Sequence, residues 1–416
     1  MNKILNIKIP GDKSIAHRLL ILTSFIKGVH TIKNMPKGED VATTLEILKN
    51  YNLKYFVSND TLKLDSSTVT FKKSSINCGN SGTTARLLTG YLSGLNIETI
   101  VSGSKQLSKR PMDRVVEPLS QFGANINCNN QLPLKIKESN NLKNFNFELK
   151  VPSAQIKSAL ILYALSIKGK SIIKGLIHTR DHLELLLLHL GYPISINKHQ
   201  IEIIGGASIS KKLDITIPGD FSTASFLICA ALLLKGASIR IRSVNLNKYR
   251  IGFINMAIQM GGNISILNKK KYYGEYMGDI IVTYSPNLIS VNINKSQIVS
   301  MIDEVPIFSV LSCYAHGTTI IKGVEELKVK ESNRLEAICY NIQSMGGDAK
   351  VAGDSLIIKG KKRLHNTTIK SFDDHRIFMA FYIANHIVDR NFSIEKDDCY
   401  KKSFPEFIDI MNRIFV

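Results

Sequence analysis

The sequence predicts an α/β protein of two similar halves, with about three α/β units in each. The tetrapeptide Ile-Pro-Gly-Asp occurs twice, at Ile9–Asp12 and Ile217–Asp220, half of the 416-residue length apart. Each copy stands where a strand pattern turns into a helix pattern. A second signal recurs on a shorter period. Apolar helical stretches end at Gly123, Gly191, Gly261 and Gly346, with Asn52 as a weaker copy, and a strand pattern follows each. A glycine or asparagine just past a helix supplies its left-handed cap. Units repeating at roughly 70 residues do not fit a single-sheet dinucleotide fold. Five such units are visible; a sixth, toward the C-terminus, is not.

The elements follow in chain order. Asn6–Ile9 alternates and reads as a strand. Pro10–Arg18 then turns through Gly11 into a helix over Ala16–Phe25, whose apolar residues are spaced by three and four. Ser14 sits near the helix start, where free N–H groups favour an anion, and Lys13 and Arg18 add full charges. A phosphate or carboxylate fits there; a capped helix with solvated basic residues is the plainer reading. The second copy carries Phe221 and Phe226 in the places of Lys13 and Arg18, so the halves have different chemical duties. A helix over Ala42–Leu48 and a strand over Thr68–Phe71 come next. Cys78–Arg86 is a run of small residues opening a helix over Thr84–Leu92, a second place where backbone can approach an anion. It lacks the Walker A spacing.

Ile97–Val101 reads as a strand. Arg110 follows Lys105 and Lys109 in a loop before the helix Met112–Phe122, where its planar fork can clamp a carboxylate or phosphate, or simply face solvent. Ser153 caps a helix over Ala154–Leu165. After a strand at Ile201–Ile204, a hinge is expected near Lys211–Pro218. The second half runs through a helix at Thr223–Leu234, a strand at Ile239–Val244, a helix at Ile251–Met260 and strands at Ile280–Val282 and Thr318–Ile321. Asp303 and Glu304 are adjacent acids in an apolar stretch, suited to proton transfer or to capping a helix. Lys330, Glu331 and Arg334 open a helix at Asn333–Met345. Asp373–Arg376 opens another at Arg376–Ala384, and Lys401–Pro405 is a late basic turn.

Composition excludes several classes. No apolar run reaches membrane-span length, the longest lying around Phe226–Leu234, and Pro10-Gly11 arrives too early for a signal peptide. The six cysteines form no C-x-x-C pair, so reduced thiols in a cytoplasmic protein are expected rather than disulfides or zinc. No H-E-x-x-H or other metal constellation is present. The net charge of +20 suits nucleic acid or small anions. The lysines are dispersed, with only short clusters such as Lys269–Lys271 and Lys361–Arg363, which favours small anions.

As an ordered set, P-G-D-K-S-x-x-H-R, G-N-S-G-T-T-x-R, R-P-M, S-A-Q-x-K, I-D-E-x-P, K-E-S-x-R, D-D-H-R and K-S-F-P resemble the 5-enolpyruvylshikimate-3-phosphate synthases, from Pro10 to Pro405. The resemblance implies two domains, 10–215 and 1–9 plus 216–416. Each is made of three βαβαββ units, an inside-out α/β barrel, with helix N-termini facing an interdomain cleft. It implies transfer of the enolpyruvyl group of phosphoenolpyruvate to the 5-hydroxyl of shikimate 3-phosphate, through a tetrahedral intermediate, with release of phosphate. It implies no metal and no cofactor, and as partners the two substrates alone, without nucleic acid or membrane, in a monomer.

Carried over by motif, shikimate 3-phosphate is held by Lys13, Ser14, Arg18, Ser153, Ala154, Gln155, Thr179, Arg180, Asp303 and Lys330. Phosphoenolpyruvate is held by Lys13, Asn80, Gly82, Arg110, Gln155, Arg334, Arg376 and Lys402. Asp303 takes the proton from the 5-hydroxyl, and Glu331 with Lys13 delivers one to the methylene carbon. Gly82 is where a methyl group would crowd the inhibitor glyphosate. The chain departs from the family at Ala16, where serine is common, and at Asn333, where aspartate is frequent. Three rivals remain in view: the sister transferase acting on UDP-N-acetylglucosamine, an RNA-binding or RNA-processing protein, and an inactive binding protein. Ser104–Arg114 lacks the sister family's loop cysteine, no aromatic residues interleave the basic ones, and Lys13, Asp303, Glu331 and Arg376 are all present.

Overall fold

The computed structural model describes residues 4–58, 60–360, 363–389 and 397–415. The chain forms two compact units. The first is Gly11–Ile217 with Tyr273–Glu275; the second takes the residues up to Pro10, then Pro218–Tyr272 and those from Tyr276 onward. The α/β class expected from the sequence is the class of both.

Strand β1 (Leu5–Ile7) belongs to the second unit. The first unit begins with α1 (Lys13–Phe25), β2 (Val29–Lys33), α2 (Glu39–Lys49), β3 (Lys54–Ser58) and β4 (Thr61–Asp65). It continues through β5 (Ser74–Asn77), α3 (Gly82–Gly94), β6 (Thr99–Ser102), α4 (Lys105–Ser108), α5 (Asp113–Gln121), β7 (Asn125–Asn127) and β8 (Leu134–Lys137). It ends with β9 (Asn146–Leu149), α6 (Ala154–Ser166), β10 (Gly169–Gly175), α7 (His182–His189), β11 (Ile194–Ile196), β12 (Gln200–Gly205) and β13 (Asp214–Thr216). Three four-stranded sheets result, in the orders β13-β2-β4-β3, β5-β6-β8-β7 and β9-β10-β12-β11. In each, the first pair is parallel and the other two are antiparallel. A parallel pair needs a crossover, which gives the second and third sheets a β-α-β-α-β-β path, whereas in the first sheet β13 returns from the end of the unit to lie beside β2.

The second unit follows the same plan. After α8 (Phe221–Leu233) come β14 (Ser238–Asn245), α9 (Gly252–Gln259), β15 (Asn263–Tyr272) and β16 (Glu275–Thr283), in a sheet ordered β1-β14-β16-β15. Then β17 (Asn292–Ile293), α10 (Lys295–Ile298), α11 (Val305–Cys313), β18 (Thr318–Lys322), α12 (Arg334–Ser344), β19 (Asp348–Ala352) and β20 (Ser355–Lys359) make a sheet ordered β17-β18-β20-β19. Helices α13 (His375–Val388) and α14 (Phe407–Phe415) complete the described part. Lys361 and Lys362 of the second basic cluster lie outside the described residues.

The caps read from sequence have the required backbone. Asn52, Gly123, Gly191, Gly261 and Gly346 all have φ between 67° and 93°. Thr68–Phe71, expected as a strand, is irregular instead. Its apolar residue serves another purpose: Phe71 packs against the rings of Tyr51 and Tyr91, and Thr70 N–H donates to the Tyr51 carbonyl.

The core of the first unit is built on α1, α3 and α6, each buried on nearly every face, with polar residues such as Arg18 and Thr84 buried among the apolar ones. Helices α3 and α6 touch backbone to backbone. A Cβ at Gly90 would stand 2.3 Å from the Ala159 carbonyl oxygen, and one at Gly94 would stand 2.4 Å from that of Tyr163. In the second unit α8, α11 and α13 take the central place, and Phe221 and Phe226 are buried there, in the positions that carry Lys13 and Arg18 in the first. Among the described residues no helix is long and apolar enough to cross a membrane, and no group of three or more His, Cys, Asp or Glu could hold a metal ion.

Candidate active site

The first unit gathers cations and hydrogen-bond donors at the N-termini of three adjacent helices. Asp12 caps α1 by accepting from Ile15 N–H, Ser81 caps α3 through Thr84 N–H, and Ser153 caps α6 through Ile156 N–H. With these caps made, the first turns point free amides and partial positive charge outward. Arg18, one turn into α1, is buried among them. Its guanidinium donates to Ser158 Oγ at 2.8 Å, to the Ser14 carbonyl at 2.8 Å and to the Ala154 carbonyl at 3.5 Å. Arg180 reaches the same place from the loop before α7 and donates to Ser14 Oγ at 3.4 Å. Burial first, and then the adjacent Arg180 cation, push Arg18 down to about 10. Two guanidinium groups converging on one serine make a seat for a polyanion.

A second group lies along α3. Arg86 donates to Gln155 Oε1 at 3.0 Å and to the Pro111 carbonyl at 3.0 Å, and Gln155 in turn donates to Thr83. A methyl on Gly82 would fall 2.7 Å from Arg86 Nη1 and 3.3 Å from Arg110 Nη1, so this glycine is the floor between two arginines. Asn80 donates to Gln106 at 2.6 Å and accepts from Ser104 at 3.0 Å. Lys13 pairs with Asp40 at 2.9 Å. Thr179 contributes its carbonyl to the buried Lys157 ammonium at 2.9 Å.

The second unit assembles a mixed-charge cluster around Asp303. Lys330 Nζ stands 3.7 Å and Arg334 Nη1 3.8 Å from its Oδ1, while Arg250 Nη1 is 3.6 Å from its Oδ2. Arg376 donates to the Asp303 carbonyl at 2.9 Å. Arg334 is buried, held by Asp374 at 2.8 Å and by Glu331 at 2.5 Å. Burial opposes its charge, but Asp374, Glu331 and Asp303 around it outweigh burial and hold its pKa above the ordinary value. Asp374 also caps α13, and Lys402 pairs with Asp373 next to it. Glu304 is turned inward, accepting from Ser222 Oγ, with Arg376 and Arg250 at 3.6 and 3.8 Å. Its burial raises its pKa, partly offset by Arg250 and Arg376.

The EPSP synthase family model, 3-phosphoshikimate 1-carboxyvinyltransferase, matches residues 5–411. The chain belongs to the EPSP synthase family. The 3-phosphoshikimate 1-carboxyvinyltransferases of Alkaliphilus oremlandii and Oceanobacillus iheyensis are each 38% identical to it, over 98% of this chain and 96% of theirs. The solved EPSP synthase from Acinetobacter baumannii superimposes with a TM-score of 0.84 at 29% identity, covering 100% of this chain and 96% of that one. The enolpyruvyl transferase NikO from Streptomyces tendae, at 14% identity and a TM-score of 0.75, shares the fold.

For this EPSP synthase family member, motif reading found the residues that begin helices and missed those that brace them. Arg86, Lys157, Ser222 and Arg250 were not singled out as site residues. Arg86 closes the Cys78–Arg86 motif, so its signal is present in the sequence. Ser222 follows the second Ile-Pro-Gly-Asp as Ser14 follows the first, which also marked it. Lys157 closes the S-A-Q-x-K motif in the same way, whereas Arg250 carries no local signal, because its partners are distant in the chain.

Proposed function

We propose that this chain transfers the enolpyruvyl group of phosphoenolpyruvate to the 5-hydroxyl of shikimate 3-phosphate, using the two clusters described. Ser14, Arg18, Ser153, Ala154, Gln155, Thr179, Arg180 and Lys330 hold the phosphate and ring of shikimate 3-phosphate. Asn80, Gly82, Arg110, Arg334, Arg376 and Lys402 hold phosphoenolpyruvate, and Lys13 and Gln155 serve both. The observation that carries this reading is the bracketing of Asp303 by Lys330, Arg334 and Arg250, all within 3.6–3.8 Å. A carboxylate so placed is a base beside groups that attract anions.

Bringing two multiply charged anions together costs repulsion that fixed cations offset. Asp303 accepts the 5-hydroxyl proton as that oxygen bonds to C2 of phosphoenolpyruvate. Glu331, with Lys13, supplies a proton to the methylene carbon, which becomes methyl. In the elimination the methyl returns a proton, the C2–O bond to phosphate breaks, and the double bond re-forms. Negative charge that develops on the phosphate as it leaves in the elimination meets preorganised guanidinium groups.

Phosphate release by the purified protein tests the reading. Release requiring both substrates, without added metal, is expected, and Asp303→Asn is expected to lower kcat by roughly 10²–10⁴-fold. A folded protein that releases no phosphate, or an Asp303→Asn variant of unchanged kcat, overturns it.

A further inference from the structure

Two guanidinium groups on one serine repel each other when no anion lies between them. Arg18 is fixed from within α1 and α6, by Ser14, Ala154 and Ser158. Arg180 stands on a loop, one residue before Asp181 at the N-cap of α7. The backbone of that loop is held from one turn into α6. Lys157 is buried, and its ammonium donates at 2.9 Å to the Ile177 carbonyl and at 2.9 Å to the Thr179 carbonyl, while pairing at 2.7 Å with Glu184 of α7. An ammonium has three protons. Two hydrogen bonds thus go to the segment that carries Arg180, to carbonyls on either side of His178, and the charge pairs with the helix into which the segment runs. Glu184 is as deeply buried as the lysine.

We propose that Lys157 is a positioning residue for the phosphate of shikimate 3-phosphate: with Glu184 it clamps residues 177–181 so that Arg180 stays beside Arg18 and Ser14 before the substrate arrives. The inference rests on the reading of that cluster as the shikimate 3-phosphate site. Burying an ammonium and a carboxylate is costly, and an apolar pair of similar size is often as stable or more so. The pair therefore does not need to be ionic for stability. What an apolar pair cannot supply is the two bonds to the loop carbonyls. A site organised before binding loses less affinity to ordering than one assembled by its ligand.

The test separates the clamp from general stability. Lys157→Met alone leaves Glu184 buried without its partner and is expected to lower Tm. Lys157→Met with Glu184→Leu restores an apolar pair and is expected to keep Tm near that of the parent protein. In that double variant the KM for shikimate 3-phosphate should rise about tenfold or more, while the KM for phosphoenolpyruvate changes less than about threefold. The same replacement made in an Arg180→Ala background should add little to the KM for shikimate 3-phosphate, since contacts that act through one residue are not additive. A folded double variant whose KM for shikimate 3-phosphate stays within twofold overturns the proposal, as does a full tenfold effect that persists without Arg180. If the parent protein itself fails to turn over the two substrates, the reading of the site has failed instead, so the two failures are distinct.

Discussion

At the scale of single residues, the site is set by where a side chain is missing as much as by where one is present. Gly82 leaves a gap that a methyl would close against Arg86 and Arg110. Gly82→Ala should therefore push both guanidinium groups aside, raise the KM for phosphoenolpyruvate several-fold and weaken inhibition by glyphosate. Steady-state kinetics with and without the inhibitor checks this, and equally strong inhibition of the variant would count against the placement of Gly82. Glu304 makes a different statement. Its carboxyl titrates above its ordinary value of 4.5 because burial disfavours the anion. A group raised in this way contributes stability fully below its unfolded pKa and loses it as pH rises through the folded value. Glu304→Gln keeps an acceptor for Ser222 without the buried charge. It should raise Tm above that of the parent near pH 7–8, with the gap closing toward pH 4, as thermal melts across that range would show.

At the scale of elements, a chain of hydroxyls ties α1, α2 and α3 together. His17 Nδ1 meets Thr44 Oγ1 at 2.8 Å, Thr44 meets Thr84 at 2.7 Å, and Thr84 donates to Ser81 at 2.7 Å. Burial depresses His17 from 6.5 to about 3, with Lys13 and Arg18 adding to the effect and Asp40 opposing it. Its contribution is present above pH 6.5 and is lost as pH falls toward 3, by about 1.4 kcal/mol per pH unit, because the unfolded chain takes up a proton that the folded one refuses. His17→Gln should make stability correspondingly less steep between pH 6.5 and 4, measured by urea unfolding. The elements were legible to the extent that their signals are local. Gly123, Gly191, Gly261 and Gly346 are needed at their own positions, and the helices ending at Gly123, Gly261 and Gly346 were read from their apolar spacing. Helix α7 was marked only by its end at Gly191 and not by its span, since His182–His189 is apolar on too many faces to show a period. Thr68–Phe71 misled because a β-branched run satisfies the strand signal, and nothing local says that Phe71 is taken up by two tyrosines. Arg250, and the role of Lys157 though not its place in a motif, were illegible for the same reason at longer range: Asp303 and Glu184 become their neighbours only after folding.

At the scale of the whole molecule, the net charge of +20 acts on both anionic substrates at once. Surface cations raise the local concentration of anions, and salt screens the effect over about 10 Å at 0.1 M. Both KM values should therefore climb between about 50 mM and about 500 mM potassium chloride, with kcat changing less, because the buried guanidinium groups are screened less than the surface lysines. KM values independent of salt would mean that the dispersed lysines serve solubility alone.

The exchange of strands has a consequence for the order of events during synthesis. Strand β1 pairs with β14, Leu5 opposite Ile239, whereas β13 returns to β2, Ile215 opposite Ile32. A ribosome adding about 5–20 residues per second makes β1 early and its partner tens of seconds later. In that interval the segment Gly11–Ile217 emerges with nearly everything its own three sheets require. Strand β1 thus stays unpaired while the whole of Gly11–Ile217 is made, and until β14 follows its open edge is what a nascent-chain chaperone would meet.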